Sequence, residues 1–316
     1  MLVVSDPSTL LSSPEYDAPL RTCPLCQSPA LSRYDCDYEG RQVARCRRCS
    51  LLFMNPQYTD QYLAAYYAQY FHDGQTPDLP IGNPDDGSRR AAAKTDMFRF
   101  LDRYTTPGRF LAIGCSDGIE LLLAERSGWE AEGYDVDEGY MEALRKKLDN
   151  PIYSGDLFKL SLPDEHYDCV FMDQVLEHPK NPQDYLREVH RVLRPGGVLF
   201  IGCPNIRSIS SRMKTILGKA RLKQRRGRHY DMFHHLFFYD PRTLSRTLET
   251  YYGYEVLAAQ GDPMTGHRTP EVEDTWRTRV GNWVRREFPV FESSFRLLAR
   301  KPTGVSAATK TSRHAA

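Results

Sequence analysis

The sequence predicts an α/β fold in which helices cover both faces of a mostly parallel seven-stranded sheet, a three-layer α/β/α sandwich. Apolar runs alternate with amphipathic runs from residue 110 to residue 203, as in a parallel sheet. The first apolar run, FLAIG, leads into a turn of small residues, CSDG, and then into a helical run. Two pairs of cysteines before residue 50 add a small N-terminal module.

The strands and helices of the main domain follow one another in a regular order. We predict strands at 110–114, 129–135, 151–153, 168–172 and 197–203, and helices at 118–127, 138–148 and 182–193. Strands separated by helices run parallel, because each helix returns the chain to the same edge of the sheet. Two further strands are predicted at 254–261 and 293–301, and no helical pattern directly precedes the second of them.

Two helices are predicted between the cysteine module and the main domain. Thr59 and Ser88 are suitable N-caps for helices over 59–71 and 88–105. The first helix carries a stripe of tyrosines, which either packs in the core or covers the cofactor site as a lid. The chain then divides into a disordered tail, a zinc-ribbon-like module, a helical connector or lid, a main domain and a second disordered tail, at 1–18, 19–56, 57–105, 106–302 and 303–316.

The composition is that of an ordinary globular protein. The 316 residues carry a formal net charge of +1, which makes no global case for a nucleic-acid or membrane partner. No apolar run approaches the roughly 18 residues that cross a bilayer. The N-terminus, MLVVSDPSTLLSSPEYD, lacks the basic region and apolar core of a secretory signal. We therefore expect a cytoplasmic protein whose thiols stay reduced.

Four of the eight cysteines form two C-x₂-C pairs, Cys23 with Cys26 and Cys46 with Cys49. Each pair directs two sulfur atoms towards one point, and Zn²⁺ accepts four thiolates in a tetrahedron. Disulfides or separately buried thiols are the alternative, although a reducing compartment does not favour disulfides. The spacing predicts a structural zinc site, because a module of this size does not hold a core without its metal.

A turn containing two glycines follows the first strand of the main domain. Gly114 and Gly118 lack a Cβ, so a ligand is able to approach the backbone closely. The next strand ends in Asp135, close to the separation of about 20 residues at which a Rossmann-type acid reaches ribose hydroxyl groups. A plain strand–turn–helix connection is the alternative. Together, the turn and the acid point to an adenosine-containing cofactor.

The second half of the main domain carries a more specific pattern. Residues 167–205, YDCVFMDQVLEHPKNPQDYLREVHRVLRPGGVLFIGCPN, resemble the class I S-adenosylmethionine-dependent methyltransferases, and FLAIGCSDG resembles the first motif of that family. The resemblance covers roughly residues 106–300 and implies a Rossmann-like domain with an antiparallel edge strand in its last strand pair. Two positions depart from the family. Ala112 replaces an acid that helps to organise the methionine end of the cofactor, and Ser116 replaces the middle glycine of the turn.

The resemblance also implies which residues contact the cofactor. It places Asp135 at the ribose and Asp156 near the adenine amino group, with the backbone N–H of Leu157 beside it. The predicted cofactor-binding residues lie at the carboxyl ends of strands or in the turns that follow: Gly114, Cys115, Ser116, Gly118, Asp135, Val136, Asp156, Leu157, Asp173 and Gln174. The alternatives are a helix N-cap for Asp135, a solvated turn for Asp156, and loop polarity for Asp173 and Gln174.

Three histidines are candidate catalytic residues. The family carries the pair Glu177-His178 whatever its acceptor, so this histidine either shapes the cofactor side or accepts a proton. His234 and His235 stand where related small-molecule methyltransferases often place a histidine facing the acceptor. An imidazole titrates near neutral pH and is able to take a proton from an acceptor hydroxyl. The alternative is a structural histidine bonded to the backbone.

An insertion at 206–250 follows the fifth strand and is predicted to be a substrate lid. Its first part, residues 206–230, contains nine Lys or Arg and no acid. A solvated helix face is one interpretation, and a surface that attracts an anionic acceptor is the other. The cysteine module also carries arginines near Tyr34 and Tyr38, so a nucleic-acid acceptor stays an alternative.

We therefore predict an enzyme that transfers a methyl group from S-adenosylmethionine to a small-molecule or saccharide-type acceptor, anionic in character, in a biosynthetic pathway. One alternative is an RNA methyltransferase whose zinc module grips RNA, which the modest net charge disfavours. The other is a non-catalytic protein of the same fold that uses its zinc module for protein contacts, which Ala112 motivates. The acceptor atom and the oligomeric state stay open.

Overall fold

Two β-sheets and eight helices organise the part of the chain that the structure describes. This computed structural model describes residues 14–71, 81–222, 225–262 and 276–304. Most of the two predicted tails lies outside these residues.

The elements are numbered here along the chain. The strands are β1 (Leu31–Cys36), β2 (Gln42–Cys46), β3 (Leu52–Met54), β4 (Arg109–Ile113), β5 (Glu130–Asp135), β6 (Ile152–Ser154), β7 (Tyr167–Asp173), β8 (Leu193–Pro204), β9 (Phe237–Phe238), β10 (Glu255–Gly261) and β11 (Ser294–Arg300). The helices are α1 (Asp60–Phe71), α2 (Arg89–Leu101), α3 (Ile119–Arg126), α4 (Glu138–Arg145), α5 (Pro182–Val192), α6 (Ile209–Lys219), α7 (Pro241–Tyr252) and α8 (Trp276–Glu287).

The larger sheet has seven strands in the order β10-β11-β8-β7-β4-β5-β6. Strands β4 to β8 pair in parallel. Successive side chains of β4 alternate between two cores. Phe110 and Ala112 pack with α2, α3 and α4, whereas Leu111 and Ile113 pack with α5 and α7. This arrangement confirms the predicted three-layer sandwich with a mostly parallel seven-stranded sheet.

The first two helices begin at the predicted caps. Thr59 Oγ1 accepts a hydrogen bond from the N–H of Tyr62, and Ser88 Oγ accepts one from the N–H of Ala91, each at 3.1 Å. Both hydroxyls satisfy a backbone donor that lacks an acceptor within its own helix.

The strand that runs opposite to the parallel strands is β11, and it lies inside the sheet. The expectation that this antiparallel strand would be at the edge is wrong. Strand β11 is antiparallel to both β8 and β10 and lies between them. Residues 295–299 of β11 form an unbroken buried run, whereas β10 is half-buried over most of its length. A strand covered on both faces belongs to the interior of a sheet, and the less covered β10 takes the edge.

The smaller sheet joins the cysteine module to the rest of the chain. Strands β1, β2 and β3 form an antiparallel meander, and β9 pairs with β3. Phe53 lies opposite Phe237, and the N–H of Met54 donates to the carbonyl of Leu236 at 2.8 Å. One apolar core extends from Phe53 in this sheet to Val170 in the larger one. The module therefore shares its core with the main domain.

Helix α8 differs from the prediction, which has no helical pattern directly before the last strand. Val280, Trp283 and Val284 have the spacing of one helical face, but Gly281 and four arginines interrupt the segment. Val280 and Trp283 are exposed rather than buried. The apolar face of this helix does not serve the core, which is why a core-directed pattern is hard to find in its sequence.

Candidate functional site

A cavity of about 730 Å³ lies at the carboxyl ends of β4, β5 and β7. This volume is typical of sites for small molecules. The predicted site residues that line it come from the cofactor turn, from two further strand ends and from all three histidine positions: Gly114, Ser116, Asp135, Val136, Asp173, Gln174, His178, His234 and His235. The structure thus brings nine of the thirteen predicted cofactor and catalytic residues into one cavity.

The backbone around the cavity is left-handed at three lining positions. Gly114 has φ +78°, and a Cβ there would lie 2.4 Å from Cγ2 of Val175. Ser116 and Gln174, which are not glycines, have φ +43° and +58°. Each such residue costs about 1–3 kcal/mol and persists only where its surroundings hold it. This strain at two neighbouring turns is typical of a binding site.

Asp135 ties the end of β5 to the turn after β4. Its carboxylate accepts the N–H of Ser116 at 3.1 Å and the N–H of Asp137 at 3.3 Å. Burial raises the pKa of Asp135, and these backbone N–H groups oppose that rise. The carboxylate lines the cavity beside Val136, and its ribose contact stays a prediction.

Four predicted cofactor residues are not among the lining residues. Cys115 is buried in the core, and Gly118 is the N-cap residue of α3. The carboxylate of Asp156 caps a short 3₁₀ helix by accepting the N–H of Phe158 at 3.1 Å, and Leu157 is buried beneath it. The exposed ring of Phe158 lines the cavity instead. The adenine contact of Asp156 stays a prediction.

A partly buried lysine is a site residue that sequence reasoning missed. Lys94 of α2 donates to Asp173 Oδ2 at 2.6 Å and to Glu120 at the start of α3, and all three line the cavity. Burial alone would lower the pKa of Lys94, but the two carboxylates raise it above its ordinary value. Ala112, the position of the absent family acid, is buried in the core and does not line the cavity. The charged side chains meet because α2 packs against α3. A local sequence motif does not reveal such a contact between separate elements.

The three histidines meet on another wall of the cavity. One ring nitrogen from each lies within 4.8 Å of the others. The two ring nitrogens of His178 lie 3.1 Å from the carbonyl of Gln174 and 3.3 Å from the carbonyl of His234. His234 Nδ1 lies 3.3 Å from the hydroxyl of Tyr66. The backbone therefore positions His178, whereas His234 meets a side chain of α1.

Helix α1 brings two tyrosines over the histidines. The Tyr66 ring stacks on His234 with centroids 5.8 Å apart, and the Tyr67 ring lies edge-on to His178 at 6.3 Å. Leu63 of the same helix also lines the cavity. Tyr66 and Tyr67 thus cover the histidine part of the cavity, whereas Tyr62 of the same helix is buried in the core. A lid over the cofactor stays a prediction.

Burial makes the histidines neutral and their neighbouring acid protonated. It lowers the pKa of His178 to about 4 and that of His235 to about 2, with nearby histidine charge adding to the effect. The pKa of His234 is also lowered by burial. Burial raises the pKa of Glu177 to about 8. A neutral imidazole has a lone pair with which to accept a proton, but pKa values this low make His178 and His235 weak bases at neutral pH.

We expect the protein to lose stability as the pH falls from about 6.5 to about 4. Unfolded histidines bind protons near pH 6.5, whereas folded His178, His190 and His235 bind them only near 4, 4 and 2. The unfolded state therefore binds more protons in this window, and acidification favours it. Glu177 acts in the opposite direction, since its folded pKa of about 8 exceeds its unfolded value, and burial likewise raises the pKa of Asp102 and Asp135. We expect the three histidines to outweigh these acids.

The measurement is the melting temperature as a function of pH. At pH 5 it should lie about 5–10 °C below its value at pH 7.5, since each kcal/mol shifts the midpoint by a few degrees. A melting temperature that stays constant or rises as the pH falls from 7.5 to 5 would contradict the neutral state of these histidines.

Known proteins resemble this part of the chain. Residues 111–201 match the sequence family described as methyltransferase domain. The chain is 35% identical over 96 residues to a probable S-adenosylmethionine-dependent methyltransferase of Mycolicibacterium smegmatis, covering 30% of this chain and 37% of that protein. It is 30% identical over 153 residues to a ubiquinone biosynthesis O-methyltransferase of Ruegeria pomeroyi, covering 46% of this chain and 61% of that protein. These matches support a class I S-adenosylmethionine-dependent methyltransferase.

The matches have a limited extent. The chain spans about a third of the length of the Mycolicibacterium relative and about three fifths of the Ruegeria relative. Among solved structures, a SAM-dependent methyltransferase from Archaeoglobus fulgidus is 21% identical with a TM-score of 0.45, covering 68% of this chain and 95% of that one. Among the helices of the described residues, none combines the length and apolarity needed to cross a membrane.

The four cysteines of the small module form a compact cluster. The sulfur atoms of Cys23 and Cys49 are 3.6 Å apart, those of Cys26 and Cys46 are 3.5 Å apart, and all four lie within 4.8 Å of one another. Four thiolates around Zn²⁺ at about 2.3 Å have sulfur atoms about 3.8 Å apart. The backbone N–H of Leu25 also faces the sulfur of Cys23 at 3.4 Å. The cluster fits zinc binding.

The basic stretch of the insertion lies against the cysteine module. Arg226 forms an ion pair with the buried carboxylate of Asp35, and the hydroxyl of Tyr230 donates to the same carboxylate at 2.9 Å. A Cβ on Gly227 would lie 2.5 Å from Cα of Asp37, so the two backbones touch there. No described residue of 206–230 lines the cavity, whereas the later part of the insertion supplies both His234 and His235.

Proposed function

We propose that the chain transfers a methyl group from S-adenosylmethionine to a nucleophilic atom of a small-molecule or saccharide-type acceptor. The observation that carries this proposal is a single cavity that joins Asp135 and the Gly114 turn to His234 and its neighbour Tyr66. S-adenosylmethionine supplies a methyl group already activated on a sulfonium. The protein is left with binding, orientation and proton removal.

The cofactor would lie along the carboxyl ends of the parallel strands. Asp135 would accept hydrogen bonds from the ribose hydroxyl groups, and the left-handed Gly114 turn would let the ligand approach the backbone. We assign the charged ends of the methionine part to Lys94 and Asp173, with Lys94 meeting the carboxylate and Asp173 the ammonium group. Their support is that both line the cavity next to the turn, where Ala112 contributes no charge.

The acceptor would lie between helix α1 and the histidines. Tyr66 and Tyr67 cover this region, and with an acceptor bound they would exclude water, which would strengthen polar interactions inside. His234 is the proposed base, because it is neutral and its ring borders the lid. His178 is a positioning residue, because backbone carbonyls face both of its ring nitrogens.

We also propose that Cys23, Cys26, Cys46 and Cys49 hold one structural Zn²⁺. Four thiolates complete a tetrahedron and leave no open position for water or substrate. The metal would then stabilise β2 and β3, and through β3 the pairing with β9.

The finer part of the proposal is an anionic acceptor in a cytoplasmic biosynthetic pathway. Its support is the cationic 206–230 stretch that precedes the histidines in sequence; none of its described residues lines the cavity, and Asp240 and Asp35 neutralise Arg207 and Arg226. A screen with radiolabelled S-adenosylmethionine tests it, with phosphorylated sugars and nucleotide-sugars beside neutral sugars and RNA. Methylation of neutral sugars alone would overturn the anionic assignment, and methylation of RNA alone would overturn the saccharide assignment.

We expect Asp135→Asn to weaken S-adenosylmethionine binding by roughly 5- to 150-fold, because losing the charged acceptor of ribose hydrogen bonds costs about 1–3 kcal/mol. Calorimetric titration measures this affinity. Asp149→Asn is the matched control, because Asp149 is an exposed acid that does not line the cavity. Equal affinities of wild type and Asp135→Asn would remove this residue from the cofactor site. If the wild type fails to bind, the protein is a non-catalytic member of the fold.

A further inference from the structure

Helix α6 is oriented with its small and polar side towards the protein. Ser211, Thr215 and Gly218 are buried. Thr215 Oγ1 lies 2.9 Å from Nε2 of His229, and a Cβ on Gly218 would meet the side chain of Arg226 at 3.0 Å. This packing fixes the rotation of the helix about its own axis.

The opposite side of α6 is aliphatic and exposed. Ile209, Met213, Ile216 and Leu217 follow one another at helical spacing, and each has 40% or more of its surface in contact with solvent. At this exposure the four side chains project from the surface rather than line a groove. Leu222, just beyond the helix, is 76% exposed. A helix with this inverted pattern loses the stabilisation that burial of its apolar stripe would give.

Basic residues border the aliphatic stripe on both sides. By the helical repeat, Arg212 and Lys219 lie along one border and Lys214 lies along the other, while Arg221 follows the end of the helix. The whole stretch 206–230 contains no acid. A partner for this face must therefore accept an aliphatic stripe with two basic residues along one border and one along the other.

A second exposed apolar group lies next to the first. Helix α6 contacts the 3₁₀ turn Pro289–Phe291, which follows α8. Four of the described side chains of this neighbouring segment are large, apolar and exposed, Val280, Trp283, Phe288 and Phe291, and Glu287 is exposed beside them. Nine of the fourteen exposed large hydrophobic side chains in the described residues belong to these two groups. We call them together the α6–α8 face.

We propose that the α6–α8 face binds the surface of a bilayer containing anionic lipids. A helix with an aliphatic stripe and lysine or arginine at its borders lies in the plane of such a surface, where the stripe enters the acyl boundary and the bases meet lipid phosphates. Tryptophan and phenylalanine beside the helix suit the same depth. Basic residues on both borders of the projecting aliphatic stripe complement the negative charge of anionic lipid headgroups. This complementarity is why we choose an anionic bilayer as the partner.

This inference goes beyond methyl transfer and does not rest on it. Vesicle binding needs neither the cofactor nor an acceptor, so its outcome is independent of the proposed activity. Since none of the described helices is suited to cross a membrane, the association would be peripheral and reversible.

The test is sedimentation of the full chain with lipid vesicles at about 0.15 M salt. We expect binding to phosphatidylcholine vesicles that contain about 30% phosphatidylglycerol, and binding at least about tenfold weaker to phosphatidylcholine alone. The variant Met213→Ser/Ile216→Ser/Leu217→Ser should bind the anionic vesicles about a hundredfold more weakly, because it loses three inserted side chains.

The matched control is Tyr38→Ser/Tyr251→Ser, which removes two exposed rings outside the α6–α8 face. It should bind anionic vesicles as the wild type does. Thermal melting by circular dichroism establishes that both variants are folded. All substituted side chains of the triple variant are exposed, so the fold should persist.

Three outcomes would overturn the proposal. The first is a wild-type chain that binds neither kind of vesicle. The second is a folded triple variant that binds anionic vesicles as tightly as the wild type. The third is a wild-type dimer that the triple substitution dissociates, without any vesicle binding, because the face would then join two copies of the chain.

Discussion

His234→Ala should lower kcat by about a hundredfold or more while leaving the affinity for S-adenosylmethionine unchanged. Removing a positioned general base typically costs two to four orders of magnitude in rate. His234 is the histidine whose ring nitrogen meets the lid, at 3.3 Å from the hydroxyl of Tyr66, and burial keeps it neutral. The measurement is steady-state turnover with an acceptor from the screen, alongside calorimetric titration of the cofactor.

The matched control is His166→Ala. His166 precedes β7, at the end of the sheet away from the cavity, and its ring contacts Arg109. This variant should keep full turnover. His178→Ala should raise the acceptor KM as well as lower kcat, because it removes a support of the His234 backbone carbonyl. Full turnover in both His234→Ala and His235→Ala would mean that neither of these two histidines acts as the base.

Cys26→Ser should abolish turnover although the metal it holds touches no substrate. Binding of a structural zinc contributes about 10 kcal/mol or more to folding, which rivals the 5–15 kcal/mol stability of a whole domain. Its loss should loosen β2 and β3, and β3 pairs with the strand that directly follows the histidine segment. Elemental analysis should find about one zinc per wild-type chain, and limited proteolysis should cut the variant within residues 19–56.

Cys36→Ser is the matched control for this prediction. Cys36 lies at the end of β1, outside the four-cysteine cluster, and its thiol is free. This variant should keep its zinc and its turnover. A wild-type chain without zinc, or a Cys26→Ser variant with full turnover, would refute the structural role of the metal.

Local sequence patterns predicted the features that depend on neighbouring residues. The alternation of strands and helices predicted the layered sheet, the two C-x₂-C pairs predicted the sulfur cluster, and the hydroxyl groups of Thr59 and Ser88 predicted two helix starts. In each case the interaction joins residues that lie close in sequence or in consecutive elements.

Features that depend on distant packing were not predicted. Lys94 and Asp173 come from different elements and meet only when α2 packs beside the sheet. The ion pair of Arg226 with Asp35 likewise joins the insertion to the cysteine module, so a run of basic residues alone did not show which charge is neutralised. A single sequence contains no information on which of many such pairs forms.

The pairing of β3 with β9 has a consequence for the order in which the protein is made. The cysteine module leaves the ribosome early, but the edge of β3 has no partner until Phe237 and Phe238 have been synthesised. Domains generally fold from the N-terminus as they emerge, and an open strand edge readily pairs with other chains. The wall of the cavity that contains His234 and His235 therefore forms late in translation. A chain that stops before residue 234 keeps five parallel strands but lacks two of the histidines that face them.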